Sequence, residues 1–203
     1  MFGLTKKEMR ILRKLDNEKK IQDFVNRLEV NFEENGETCM SPRRVLKERK
    51  AHCIEAALLA YLAFKLHNKK AWLVDLKTTP DDFEHVICVF KKYGKYGCIS
   101  KSNHIAHRYR EPVYRDIREL VMSIFHEYID KKGRKTLRSY SVPVTLEKFG
   151  DRWVTDEKDL WEVHDYLDSV RHFPILNKKQ LRNLRKADRF EIKLGNMEEK
   201  RFK

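Results

Sequence analysis

The chain has 203 residues, enough for one domain with appendages and a sizeable core. Its 44 lysines and arginines outnumber 31 aspartates and glutamates, and the net charge of +13 favours an acidic partner, nucleic acid or simple solubility without indicating a fold. None of the four cysteines forms a CxxC pair, which argues against a cysteine-based zinc site, and no apolar run is long enough to span a bilayer. Residues 1–7 lack the apolar core of a signal peptide, so we expect a cytoplasmic protein with reduced thiols, no membrane attachment and no cofactor.

The N-terminal part of the chain is predicted to be helical. Residues 4–34 carry two apolar stripes at helical spacing, and Asn35-Gly36 ends the run. We interpret residues 1–38 as a helical extension that packs on the rest of the protein, with its lysines and arginines facing solvent. The cleaner stripe consists of Ile21, Phe24, Val25, Leu28 and Phe32.

The stretch from Ala51 to Leu62 is predicted to be a buried helix with Cys53 in its first turn. Ser41-Pro42 is a good start for a short preceding helix, and we expect a break at residues 50–52 between the two helices. A thiol in a first turn faces backbone N–H groups and the positive end of the helix dipole, and both favour the nucleophilic thiolate. A buried free cysteine is more often an inert small hydrophobe, so the functional interpretation needs a base nearby.

The region after this helix is predicted to be a small antiparallel sheet with a hairpin turn centred on Tyr93-Gly94. A second amphipathic helix is predicted over residues 113–128, followed by an edge strand over residues 136–144. The pattern is typical of an α+β protein with its core domain over residues 39–150. The runs of strand length are residues 71–76, 85–90 and 96–100.

Residues 151–203 are interpreted as a basic, helical C-terminal extension. A helix is expected over residues 156–170, and residues 177–190 are predicted to form a basic amphipathic helix. Clustered lysines and arginines can neutralise phosphates, which makes nucleic acid a candidate partner through this helix. A solvated helix face is the alternative, since no recognised nucleic-acid-binding motif accompanies the charge.

His85 is the best candidate base for Cys53, because it opens a strand directly after an acidic loop, where a side chain can reach a cleft at the end of the sheet. Strand alternation places His85, Ile87 and Val89 on one face. If this face packs on the Cys53 helix, His85 meets the thiol.

A base of this kind needs an orienting partner, and the predicted hairpin places residues 100–103 opposite His85. Ser100 or Asn103 can accept the imidazole N–H. Neither stabilises an imidazolium as a carboxylate would, so the sequence predicts a weaker triad or a simple dyad.

The order of these features resembles the transglutaminase-like (papain-related) superfamily: a cysteine on a helix, a histidine at the start of a strand, and a hairpin partner strand. Within that superfamily the chain resembles an uncharacterised microbial branch. The resemblance covers roughly residues 40–145. It implies a Cys-bearing helix packed on a small antiparallel sheet, with extra helices at both ends of the chain. The blocks that carry the resemblance are Cys53–Ala57, Asp82–Val86, Ile99–His104 and Arg108–Tyr114.

The resemblance implies that Cys53 is the nucleophile and His85 the general base. The family usually has an aromatic residue in the return strand, followed shortly by an aspartate. Tyr96 occupies the aromatic place in this chain, and Ser100 stands where the aspartate is expected. Other candidates for the orienting group are Asn103, Asp75 and Asp82.

The implied reaction is acyl transfer through a thioester, which water or another amine resolves. Large crosslinking members usually carry additional β domains, and none is predicted here, so we expect an amide or peptide hydrolase acting on a protein or peptide. The alternative is a catalytically silent binding module for protein or nucleic acid. The serine in the aspartate's place and the net charge of +13 favour that alternative.

The polar run that follows the return strand is a candidate substrate-binding segment. His104, Arg108 and Arg110 are expected to bind a carboxylate or phosphate of the substrate. The alternative is a loop that is solvated on one side and salt-bridged to the next helix. His104 and His107 lack nearby acidic or cysteine ligands at useful spacing, so no metal site is predicted.

Overall fold

Helices and strands are mixed along the chain in the computed structural model, which describes residues 2–199. The α+β class is confirmed. Short 3₁₀ turns lie at Phe125–Glu127 and Glu147–Phe149. The α-helices are α1 (Lys6–Arg13), α2 (Glu18–Asn26), α3 (Pro42–Glu48), α4 (Cys53–Leu66), α5 (Ile117–Met122), α6 (Arg152–Thr155), α7 (Trp161–Ser169), α8 (Lys178–Arg182) and α9 (Arg189–Gly195). The strands are β1 (Glu29–Val30), β2 (Lys50–Ala51), β3 (Ala71–Lys77), β4 (His85–Lys92), β5 (Lys95–Ile99), β6 (Arg110–Tyr114), β7 (Ser139–Ser141) and β8 (His172–Pro174).

The helix α4 is the centre of the fold. Every residue from Ile54 to Phe64 is buried, so the helix is enclosed on all sides, as its apolar sequence predicts. The predicted break before it is present: Arg49 takes the left-handed conformation, with φ of 60°, and ends α3. The short strand β2 then leads into α4.

No helix within residues 2–199 is both long enough and apolar enough to cross a membrane.

The main sheet has six antiparallel strands in the order β6-β5-β4-β3-β7-β8. The strands β4 and β5 form the predicted hairpin, in which Cys88 pairs with Ile99. Tyr93 and Gly94 turn the chain with φ of 50° and 77°, the two positive values that a type I′ turn requires. The hairpin therefore brings the end of β5 back beside the start of β4.

The two faces of β4 pack against different helices. Val86, Cys88 and Phe90 lie in the apolar cluster around α4, whereas Ile87 and Val89 lie in a second cluster with α5. The alternation was predicted, but the condition stated with it, that the face of His85 and Ile87 packs on the Cys53 helix, is not met. Both faces are apolar, so the pattern along the strand does not indicate which helix covers which face.

The cluster around α4 includes residues from both ends of the chain. Leu12, Ile21 and Leu28 come from the N-terminal helices and the segment after them, and Trp153 and Leu167 come from α6 and α7. All five side chains are buried. The segments that flank residues 39–150 thus share one core with the middle of the chain.

Several predicted elements are shorter than expected. Residues 113–128 do not form one helix: β6 extends to Tyr114, and α5 begins only after Asp116, whose side chain caps it by accepting from the Glu119 N–H at 2.7 Å. The basic segment 177–190 contains α8 and the start of α9 with a gap between them. The edge strand predicted over residues 136–144 is reduced to β7, which lies between β3 and β8 and not at the edge of the sheet, and a single bridge from Val144 to Leu73.

Truncating the core of α4 should strongly destabilise the protein. Leu58 is fully buried in the α4 cluster, so Leu58→Ala is expected to lower the free energy of unfolding by about 2–5 kcal/mol through lost burial and a residual cavity. The matched control is Leu194→Ala, because the side chain of Leu194 is exposed. Urea denaturation followed by circular dichroism measures both, and equal losses would contradict the central position of α4.

Candidate functional site

A cavity of about 540 Å³ opens at the end of the sheet where α4 and β4 begin. It is lined by residues from the start of α4, the start of β4, the segment after β5 and the 3₁₀ turn near residue 127. Cys53 and His85 both line it, so the structure brings the predicted nucleophile and base to one cavity. Its volume lies in the range of small-molecule and side-chain binding pockets.

Cys53 is the first residue of α4, and its environment differs from that of the other cysteines. Burial raises the pKa of the thiol, but hydrogen bonding with His52 and His85 and the charges of both imidazoles lower it, and the net pKa lies well below the ordinary value. Burial raises the pKa values of Cys39, Cys88 and Cys98 instead. Cys53 is also the one cysteine of the chain that is not fully buried.

His85 is oriented by Ser100. Its Nε2 lies 2.8 Å from Ser100 Oγ, and the Ser100 hydroxyl donates to the His107 carbonyl at 3.3 Å. Ser100 Oγ therefore accepts from the Nε2–H of His85, which leaves Nδ1 as the atom that exchanges protons. Gln22 holds the serine from both sides, since its Nε2 donates to the Ser100 carbonyl at 2.9 Å and its Oε1 accepts from the Ser100 N–H at 3.1 Å.

The other candidate orienting groups are engaged elsewhere. Asn103 Oδ1 accepts from the Ser102 hydroxyl at 3.3 Å. Asp75 is bonded to His172 Nε2 at 2.9 Å, and Asp82 accepts from the Thr136 hydroxyl. Among the residues considered for this role, Ser100 is the one that contacts the ring of His85.

The predicted substrate-binding residues have partners within the protein. His104 Nδ1 lies 3.0 Å from the Gly195 carbonyl, Arg108 pairs with Glu199 at 3.0 Å, and Arg110 pairs with Glu127. Of the three, His104 lines the cavity and the two arginines do not. The two arginines therefore match the alternative interpretation of this segment, in which ion pairs hold the loop to the rest of the protein.

The cluster of His52 and Glu55 beside Cys53 was missed by the sequence analysis. His52 Nδ1 lies 3.8 Å from Cys53 Sγ, and His52 Nε2 lies 3.3 Å from Glu55 Oε1. Glu55 is fully buried and accepts from the Met40 N–H at 3.0 Å and the Thr38 hydroxyl at 2.8 Å. A signal was present, because a glutamate three residues after a helix N-cap is the pattern of a capping box, and Glu55 does accept from the His52 N–H at 2.9 Å.

His52 and Glu55 carry opposite charges. Burial raises the pKa of Glu55, but the hydrogen bond and charge of His52, with backbone N–H donors, lower it to about 2. Burial lowers the pKa of His52, but its interactions with Cys53 and Glu55 raise it to about 11. Each shift has the other residue among its causes, so a cation and an anion stand together at the start of α4.

Two further buried side chains of the cavity wall each have a polar atom without a hydrogen-bond partner among the described residues. The rings of His107 and Tyr128 stack with centroids 4.3 Å apart and an interplanar angle of 19°. Neither His107 Nε2 nor the Tyr128 hydroxyl has a hydrogen-bond partner among the described residues, although both side chains are buried. Burial, with the charges of His85 and His104, lowers the pKa of His107 to about 3, so its ring is neutral.

An acidic group lies at another part of the cavity wall. Carboxylate oxygens of Asp75, Glu84 and Asp168 come within 4.8 Å of one another, which is close enough to share a cation. Two of the three already have partners, His172 for Asp75 and Lys77 for Asp168 at 2.5 Å. Burial raises the pKa of Asp75 to about 6, the His172 bond opposes the rise, and the charge of Glu84 adds to it.

The stability of the protein should depend on pH through the pair of Glu55 and His52. Folding lowers the pKa of Glu55 from 4.5 to about 2, so its stabilising contribution is complete above pH 4.5 and is lost as the pH falls towards 2. Folding raises the pKa of His52 from 6.5 to about 11, so its contribution is complete below pH 6.5 and is lost as the pH rises towards 11. Urea unfolding should show both contributions in full between pH 4.5 and pH 6.5.

The variant His52→Gln separates this pair from other titrating groups. Its loss of unfolding free energy relative to wild type should be largest below pH 6.5 and should shrink as the pH approaches 11. A loss that stays constant across this range would mean that His52 stabilises the fold through packing alone.

No protein-family model matches the chain, and no curated protein matches it. A solved structure described as a TGase is similar to it, with a TM-score of 0.38 and 16% sequence identity. The match covers 52% of this chain and 35% of that chain.

Proposed function

We propose that this protein is a transglutaminase-like cysteine acyl-transfer enzyme that hydrolyses an amide in a protein or peptide. The observation that carries the proposal is the meeting of Cys53 and His85 in one cavity, with Ser100 bonded to the ring of His85. A thiol of lowered pKa at a helix start, with an oriented imidazole beside it, is the arrangement that thiol nucleophiles use.

Proton transfer in the proposed reaction centres on His85. The Cys53 thiolate attacks the amide carbonyl carbon, and the C–N bond breaks as His85 Nδ1 gives a proton to the leaving amine. Water then attacks the thioester, His85 Nδ1 takes a proton from it, and the thiolate is released with the carboxylic acid. The Cys53 N–H, at the first turn of α4, is suited to stabilise the oxyanion.

The walls of the cavity support a peptide substrate. Phe83 and Trp161, both exposed to solvent, line it beside the polar groups. The Tyr128 hydroxyl and His107 Nε2 behind this wall have no hydrogen-bond partner among the described residues, but both atoms are shielded from solvent, so a substrate amide reaches them only if the wall moves.

The thiol chemistry is tested by alkylation of each cysteine with iodoacetamide at pH 7, read by peptide mass spectrometry. Cys53 should react at least about tenfold faster than Cys39, Cys88 and Cys98, since these three are buried with raised pKa values. Turnover of a peptide-amide library should disappear in Cys53→Ala and fall about 10²- to 10⁴-fold in His85→Ala.

A matched control is Cys98→Ala, in which a buried cysteine on the return strand is removed and turnover should persist. If Cys53 reacts no faster than the other cysteines in the folded protein, the enzyme proposal fails.

A second candidate is binding of nucleic acid, which the exposed basic side chains of α8 favour. Lys178, Lys179 and Arg182 are all exposed on this short helix. A surface of this kind attracts phosphates without requiring catalysis.

Salt dependence tests this second candidate. Replacing Lys178, Lys179 and Arg182 by glutamine should reduce the slope of log affinity against log salt by about 0.9 for each lost phosphate contact on duplex DNA. The control replaces Lys6, Lys7 and Arg13 of α1, exposed residues that make the same change in net charge. An absence of binding at low salt removes the candidate.

A further inference from the structure

We propose that His52, held by the buried carboxylate of Glu55, is the cation that keeps Cys53 as a thiolate in the resting protein, while His85 carries the proton in turnover. The proposal rests on the proposed function and divides the work of that site between two imidazoles. It assigns a role to two residues that lie next to the nucleophile in the sequence but outside the predicted dyad.

The geometry places His52 between the thiol and a carboxylate. Its Nδ1 is 3.8 Å from Cys53 Sγ, and its Nε2 is 3.3 Å from Glu55 Oε1 and 2.9 Å from the Thr38 carbonyl. Nε2 therefore faces two acceptors, which hold a proton there. With Nδ1 also protonated, the ring donates towards the sulfur as an imidazolium.

The two histidines differ in what lies behind them. Glu55 is completely shielded from solvent and brings a full negative charge to His52. Ser100 offers His85 only a neutral hydroxyl oxygen. A carboxylate in a dry environment stabilises an adjacent imidazolium far more than a hydroxyl does, so the lasting positive charge belongs on His52.

Other charged groups around His52 reinforce this assignment. Glu33 Oε1 lies 3.6 Å from His52 Nε2, on the segment that packs over the start of α4. Asn31 Nδ2 donates to Glu55 Oε2 at 3.2 Å and so helps to keep that carboxylate ionised. The cation thus faces two carboxylates on one side and the thiol on the other.

The division of roles gives a balanced reaction. His52 keeps both of its protons throughout, because the carboxylates of Glu55 and Glu33 stay beside it while the sulfur is held in the thioester. His85 enters the cycle protonated at both ring nitrogens. The thiolate attacks, His85 gives its Nδ1 proton to the leaving amine and becomes neutral, and it returns to the protonated form by taking a proton from the attacking water. The products are the amine and the carboxylic acid, and the thiolate beside His52 is restored.

The test measures the rate of Cys53 alkylation by iodoacetamide from pH 4 to pH 10. In His52→Gln the midpoint of the profile should move up by at least about one pH unit, so that alkylation below the wild-type midpoint slows about tenfold. In His85→Gln the midpoint should move less, while turnover of an amide substrate falls about 10²-fold or more. The control is His164→Gln, another histidine that lines the cavity, which should leave the profile unchanged.

A charge-conserving variant separates the effect of charge from that of packing. His52→Lys keeps a cation beside Glu55, so its midpoint should lie closer to wild type than that of His52→Gln. His52 is only partly buried, so both His52 variants should fold. Circular dichroism of each variant checks that they do. Glu55→Gln, if it folds, should raise the midpoint in the same direction as His52→Gln.

The outcomes distinguish the two proposals. If wild-type Cys53 is no more reactive than the other cysteines, the enzyme proposal fails and the role of His52 fails with it. If Cys53 is reactive but His52→Gln leaves its profile in place while His85→Gln shifts it, the role of His52 alone is overturned.

Discussion

The buried carboxylate of Glu55 is the constraint on which the site depends. A carboxylate removed from water is costly unless donors surround it, and here donors come from Asn31, Thr38, Met40 and His52. These residues belong to two separate segments, the loop before α3 and the start of α4. The hydrogen bonds to this one carboxylate therefore fix the loop against the helix, and they also position Cys53 within the first turn.

The second half of the site depends on the N-terminal helices. Gln22 of α2 pairs with both backbone groups of Ser100, and Lys101 Nζ donates to the Leu28 carbonyl at 2.9 Å. The residues after β5 are thus held by α2 and the segment that follows it. Because Ser100 orients His85, residues long before the sheet in the sequence determine where the ring of His85 points.

The predictable features were those with a strong local pattern. The apolar run of α4 and the hairpin turn at Tyr93-Gly94 follow from periodicity and turn chemistry, and both place Cys53 and His85 close to the same end of the sheet. Which helix packs on which face of β4 was not predictable, because both faces of the strand are apolar. The role of Glu55 was not predictable for a related reason. Its hydrogen-bond partners come from distant segments, so the sequence around an isolated glutamate in an apolar helix does not indicate them.

The charge of the cavity differs from that of the whole chain, and this difference separates the two candidate functions. Seven carboxylates and one lysine line the cavity, so the excess of +13 lies elsewhere on the molecule. A phosphate-rich polymer is attracted to exposed cations such as those of α8, but like charge opposes its entry beside the nucleophile. The neutral or cationic part of a substrate meets no such barrier. Binding at the basic surface and thiol chemistry in the cavity can therefore coexist without competing for the same residues. The carboxylates are Glu33, Glu37, Asp75, Asp82, Glu84, Glu127 and Asp168, and the lysine is Lys101.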